Sequence, residues 1–173
     1  MGKILKICVV LIVAVAAMWS CSSSGWIDNQ SSIPLAGFYD SKTKKKLKIS
    51  GINIGGVGAE TLLLSSSESA AQVYLPLRST QSSTSFCFNY GTDSITGYQY
   101  NDTITFDYES IPYFVSEECG AMYYYKVGKL QSTHLLIDSV KLLEPLITNT
   151  DVERVKIYFR SNDTQQWLSE FYW

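Results

Sequence analysis

The residues best suited to chemistry in this chain are carboxylates. Asp102 and Asp107 flank one apolar-alternating segment, and Glu109, Glu117 and Glu118 flank the next. Two such groups facing one another can divide acid and base roles on a glycosidic bond, and several together can hold calcium. No D-x-[DN]-x-[DN]-G loop occurs, so the plainer expectation is a set of solvated loop ends. The single histidine, His134, excludes multi-histidine metal sites. No serine stands in a G-x-S-x-G elbow that could draw on it, so His134 is expected to be a packed or surface residue. Gly51 to Gly58 lacks the Lys-Ser/Thr of a phosphate loop and reads as a strand turn. No metal ligands, cofactor or catalytic residues are assigned.

Cysteines and tyrosines carry the remaining chemistry. Of four cysteines, Cys8 lies in an apolar leader and Cys21 at its end, which leaves Cys87 and Cys119. They lack C-x-x-C redox spacing, and in an exported domain they are candidates for a disulfide, with two buried thiols as the alternative. Tyrosine is abundant, at 12 residues. Tyr98 and Tyr100 bracket a turn, and Tyr124 lies opposite the Tyr123/Tyr125 face. With Trp167 they form a possible binding surface for a glycan or protein, because aromatic rings give rigid contact area at low entropic cost. Cross-strand aromatic pairing within the sheet is the alternative. Lys42, Lys44, Lys45, Lys46 and Lys48 form a basic cluster beside a turn, either solvated or placed against anionic lipid headgroups.

What positions these groups begins with the leader. Lys3 and Lys6 precede an apolar run from Ile7 to Ala17, and Ser20 stands directly before Cys21. A charged start, a short apolar segment and a small residue at the cut describe a secretory signal peptide. From Ile7 to Trp19, thirteen residues of helix span roughly 20 Å, too short for a hydrocarbon core of ~30 Å. The cysteine at the cut marks the lipoprotein type, with palmitate-like acyl chains on Cys21. Residues 1–20 are therefore a signal helix and 21–32 a flexible tether, Ser22-Ser23-Ser24-Gly25 being soft and polar. The expected address is the cell envelope, the protein being anchored to the outer membrane, with its face unassigned.

Residues 33–160 read as one all-β domain. The chain of 173 residues is 46% hydrophobic and 17% charged, with net charge −2, a globular composition that gives no electrostatic reason to expect nucleic acid. Alternation places strands at Ile33–Tyr39, Leu47–Ile54, Glu60–Leu64, around Val73–Leu77, at Ser85–Tyr90, around Ile104–Tyr108, at Ala121–Val127, Leu135–Leu143 and Val155–Phe159. In the seventh, Ala121, Tyr123, Tyr125 and Val127 are expected to share one face. Many short strands with turn signals between them predict a two-sheet antiparallel β-sandwich of immunoglobulin or fibronectin type. Residues 161–173 differ: Asn162 and Asp163 can cap, and Trp167, Leu168, Phe171 and Tyr172 make a short amphipathic C-terminal helix. It either docks on the sandwich or contacts a partner or membrane.

Several of these features resemble a family of small Bacteroidota lipoproteins of unassigned function. They are Pro34 with Phe38-Tyr39-Asp40, Val73-Tyr74-Leu75-Pro76-Leu77, Val115-Ser116-Glu117-Glu118-Cys119-Gly120 with the aromatic run after it, and Val155-Lys156-Ile157-Tyr158-Phe159. The resemblance implies an all-β, envelope-located protein and supplies no catalytic residues. The expected function is a non-enzymatic binding or scaffolding lipoprotein. A glycan-acting hydrolase or glycan-binding module, and a structural subunit of an outer-membrane assembly, are the alternatives.

Overall fold

In the computed structural model the described residues are 32–90, 101–116 and 120–160. The signal segment, Cys21, Tyr98, Tyr100, Glu117, Glu118, Cys119 and the expected C-terminal helix with Trp167 lie outside them. The described chain is all-β, with no helix among these residues. Twelve strands follow in order: β1 Leu35–Asp40, β2 Ile49–Ser50, β3 Asn53–Gly56, β4 Leu62–Leu64, β5 Ser69–Ala70, β6 Gln72–Tyr74, β7 Ser83–Asn89, β8 Asn101–Ser116, β9 Gly120–Ser132, β10 Ile137–Leu142, β11 Leu146–Ile147 and β12 Glu153–Phe159. They form a four-stranded sheet ordered β10-β12-β1-β6, a six-stranded sheet ordered β11-β9-β8-β7-β3-β4, and a β2-β5 ribbon.

Period-2 alternation explains the core. β1 contributes Ala36 and Phe38, β12 contributes Val155, Ile157 and Phe159, and β7 and β8 contribute Phe86, Phe88, Ile104 and Phe106, each 1% exposed or less. The Phe159 ring meets Phe38 edge-on at 5.6 Å and Phe88 of the other sheet at 6.5 Å, so both large sheets feed one core. The opposite face of β7 and β8 carries Ser83, Ser85, Cys87 and Asn89 against Asp107, Thr105, Thr103 and Asn101. That polar face is one water can cover.

Three expectations need correction. The large sheets are not wholly antiparallel: β1 and β12 pair in parallel, Leu35 with Glu153 through Asp40 with Phe159. Pro34 stands just ahead of this ladder, where its missing N–H costs nothing, and β1 is an interior strand. The expected strand from Leu47 to Ile54 breaks into β2 and β3 at Gly51, whose φ of 77° suits glycine. Gly55 and Gly56 consequently lie within β3, and the turn falls at Val57-Gly58.

Cys87 is a free thiol, and Cys119, its expected disulfide partner, lies outside the described residues. Within them the ladder sets the two ends of β8 far apart. Cys87 pairs with Thr103, whereas Gly120 pairs with Ser116, thirteen residues further along β8. That is roughly 40 Å of strand, against a limit of ~7 Å between the Cα atoms of a disulfide.

The lysine cluster is partly absorbed into the fold. Lys44 lies over the Tyr158 ring at 4.5 Å, and Lys46 pairs with Glu153 at 3.5 Å. Glu153 accepts a hydrogen bond from the Tyr39 hydroxyl at 2.8 Å, and Lys156 covers the Tyr39 ring at 4.6 Å. Gly37 makes room for this arrangement, since a Cβ there would collide with the Glu153 carboxylate. Burial, with the Glu153 hydrogen bond behind it, pushes the Tyr39 hydroxyl up to about 12.

Candidate functional site

Asp102 and Asp107 sit five residues apart on β8, and opposite parity sends them to opposite environments. Asp102 enters the core and is fully buried, which corrects the expectation of a solvated loop end. One carboxylate oxygen accepts from the Thr133 hydroxyl at 2.6 Å and the Leu135 N–H at 2.8 Å. The other accepts from the Tyr90 hydroxyl at 2.8 Å and the N–H groups of Leu136 and Ile137 at 2.8 and 2.9 Å. Burial opposes its charge, yet these donors outweigh burial and hold its pKa below the ordinary 3.8. With its lone pairs occupied, Asp102 fastens the segment between β9 and β10 and has nothing to offer a substrate. His134 lies in the same segment and is exposed.

Asp107 takes the outer face, and Glu109 follows it two residues later. The register between β8 and β9 shifts here: Asp107 opposes Lys129, while Tyr108 opposes Val127. Gly128 is therefore an extra residue on β9, a bulge that opens the ladder and re-aims its neighbours. An open groove of about 480 Å³ lies at this point, walled by Ser83, Asp107, Glu109, Lys126 and Lys129 with Gly128 in its lining. By register Lys129 stands opposite Asp107 and Lys126 opposite Glu109. Ser83 donates to Asp107 at 2.8 Å. The ion pairs among the described residues are Lys46–Glu153, Arg154–Glu144 and Arg160–Asp138, so none of the groove's four charges is spent in one.

Beneath the groove the scaffold is rigid. The Tyr108 ring meets Tyr125 edge-on at 5.2 Å, and its hydroxyl exchanges hydrogen bonds with the Arg78 backbone at 3.0 and 2.8 Å and with Thr84 at 2.6 Å. The outer face continues along the hairpin through Ile111 and Tyr124 to Tyr113 and Met122, which pair across the strands. Tyr124 is half-buried and stacked on Tyr113, with centroids 4.6 Å apart. The expected tyrosine surface is thus represented among the described residues by Tyr124 alone, and its neighbour is Tyr113, which alternation did not single out.

Nor does alternation mark Lys126, Lys129 or Ser83 as site residues. A signal exists in retrospect: Val127-Gly128-Lys129 interrupts an alternating run with a glycine, a mark of a bulge. By register Ala121, Tyr123, Tyr125 and Val127 share one face as expected, but the core covers only part of it. Tyr125 and Val127 are buried, but Tyr123 is 40% exposed because the hairpin has by then run past the core.

The groove and its hairpin fall inside the region that defines the chain's kinship. Residues 47–159 match the model of a family of unknown function, DUF6452, and the chain belongs to that family. No curated protein and no solved structure matches it. Among the described residues no group of three His, Cys, Asp or Glu could hold a metal ion, and no helix is long and apolar enough to cross a membrane.

Proposed function

We propose that this chain is an envelope lipoprotein of the small Bacteroidota type, a β-sandwich held to the outer membrane through acylated Cys21, and that it binds its target without catalysis. The observation that supports binding is the bulge groove. Four charges of both signs and a serine hydroxyl line an open trough in which no ion pair consumes them. Such a surface suits a polyhydroxylated ligand carrying both amino and acidic groups, as envelope glycans do. Its carboxylates accept from hydroxyls and ammonium groups, and its lysines donate. Titrating amino-sugar-containing envelope polysaccharide into the protein should move the amide resonances of residues 107–109 and 126–129. The D107N/E109Q/K126A/K129A variant should lose those shifts while the resonances of β1 and β12 stay in place. Shifts scattered over both sheets, or none, would remove the groove from consideration.

A glycan-acting hydrolase is the second reading, favoured by one feature. Asp107 and Glu109 are alternate residues of one strand, on one face and in one groove, the side-by-side placement that a pair of acid and base carboxylates needs. Release of reducing sugar that disappears in both D107N and E109Q would select it over binding alone.

A further inference from the structure

The hairpin beyond the groove leaves the body of the protein. β7 ends its pairing at Ser83 with Asp107, and the Tyr108 N–H reaches Ser82. β8 nevertheless continues to Ser116, paired among the described residues with β9 alone, and β11 pairs with β9 at Tyr125 and Lys126. An arm of two strands, about 20 Å long from Ser110 to Ser116, therefore runs on past the end of β7, with Met122 buried on its outer face and its aromatic rings exposed. Consecutive strand residues take opposite faces, so Tyr113 and Phe114, 45% and 65% exposed, put aromatic rings on both sides. Tyr123, opposite Pro112, adds a third ring at 40%. Isolated two-stranded ribbons are marginal in water, and exposed apolar patches of this kind mark contact surfaces.

Topology says which end of the molecule carries the arm. β1 and β12 run together from Leu35 and Glu153 at one pole to Asp40 and Phe159 at the other. Ile137 pairs with Phe159 and donates to Asp102, so β8 starts at the Phe159 pole and runs away from it. At its base the arm meets the β11–β12 connection: Ile147 pairs with Tyr125, and the Tyr124 hydroxyl reaches Asn149 at 3.5 Å. That connection leads to Glu153, the residue paired with Leu35, and the chain reaches Leu35 through Ser32. Arm and tether attachment thus share a pole, while the lysine turn after Asp40 lies at the other.

We infer that the aromatic arm is a second contact with the lipid surface that holds the N-terminus, an inference that rests on the proposed Cys21 anchor. Ten residues lie between Cys21 and Ser32, and the eleven Cα–Cα steps span at most about 40 Å extended and roughly 20 Å as a coil. An arm of about 20 Å on the tethered pole is held within reach of the bilayer. A protein partner commonly covers one face of a ribbon, whereas a headgroup layer covers both. It also suits tyrosine, and its water satisfies the unpaired strand edges. Lys42, Lys44 and Lys45, in and just after the turn that follows Asp40, lie at the far pole, and the rings of the arm make an apolar contact that needs no anionic lipid.

Amide hydrogen exchange on the full chain carrying Cys21→Ser, with and without phosphatidylcholine/phosphatidylethanolamine vesicles, tests this. Intact mass of the native protein reports separately on the anchor. Vesicles should slow residues 110–114 and 122–124 by about fivefold or more. F114D/Y123D should abolish the slowing while β1 and β12 keep their protection. Unchanged exchange with acyl mass on Cys21 overturns the arm contact and leaves the anchor standing; unchanged exchange without acyl mass removes both. Slowing without acyl mass keeps the arm contact alone. Slowing that follows protein concentration in the absence of vesicles assigns the surface to a second copy and overturns the inference.

Discussion

Asp102 shows how one residue can tie three segments together without taking part in chemistry. Its carboxylate collects β8, Tyr90 at the end of β7 and the start of β10 through five donors. Replacing it by Asn keeps the shape but turns one acceptor into a donor facing N–H groups, so D102N should cost about 3 kcal/mol or more in chemical denaturation. The pH dependence follows from the sign of the shift. The folded carboxylate titrates below 3.8 and the unfolded one near the ordinary value, so the native state binds fewer protons through this window. Its contribution is complete above about pH 5, begins to fall as the pH approaches 4, and is lost as the pH drops through the lower folded value. In D102N that segment of the stability–pH curve should flatten. Tyr39 acts at the other end of the scale. Its hydroxyl is raised to about 12, so its contribution holds below the ordinary value of about 10 and disappears as pH climbs toward 12. The Y39F variant should lose that alkaline step in a denaturation series.

At the scale of the element, the Gly128 bulge is what separates a plain β-hairpin from a candidate site. Removing it is the sharpest test of that role. Deletion of Gly128 would bring Lys129 directly after Val127 and close the ladder with every other pairing kept, since Asp107 already opposes Lys129 and Tyr108 opposes Val127. Val127 and Tyr125, buried at 4% and 6% exposure, would keep the core face. The deletion should therefore hold the denaturation midpoint within a few degrees of the parent while flattening the groove and abolishing binding there, and G128A should leave the midpoint nearly unchanged, because a Cβ there meets only the Asp107 carbonyl at 3.9 Å. The same bulge explains what could be read from the chain in advance. Strong alternation located β7, the start of β8, the end of β12 and the all-β class, since each has one buried and one polar face. Pairing partners were not legible: nothing local says that β1 lies parallel to β12, more than a hundred residues away. Nor does local alternation reveal that β8 and β9 outrun the core, so the exposure of Phe114 and Tyr123 came only with the assembled sheet. The charges of the groove were visible singly, and Lys126 and Lys129 acquired meaning only when register set them across from Glu109 and Asp107.

For the whole molecule, the question is whether the body holds together through its core alone or through a covalent clasp. A bond between Cys87 and Cys119 would close a loop of about 33 residues and contribute ~3–4 kcal/mol in the chain-entropy account, equivalent to roughly 10 °C in midpoint for a chain of this size. The packing makes no such demand. Phe38, Phe86, Phe88, Phe106 and Phe159 sit at 1% exposure or less across both large sheets, and burying a side chain of that kind contributes about 1.5–3 kcal/mol. Cys87 faces the polar side of β7, with burial raising its thiol pKa ahead of the nearby Asp102 charge. It should consequently resist alkylation in the folded protein at neutral pH and react once denatured. Thermal unfolding with and without a strong reductant decides the matter: the midpoint should move by no more than about 1 °C, and C87S should unfold alongside the parent. A drop near 10 °C on reduction would mean that the β8–β9 arm folds back to bring its tip beside β7, an arrangement incompatible with an arm that projects from the tethered pole.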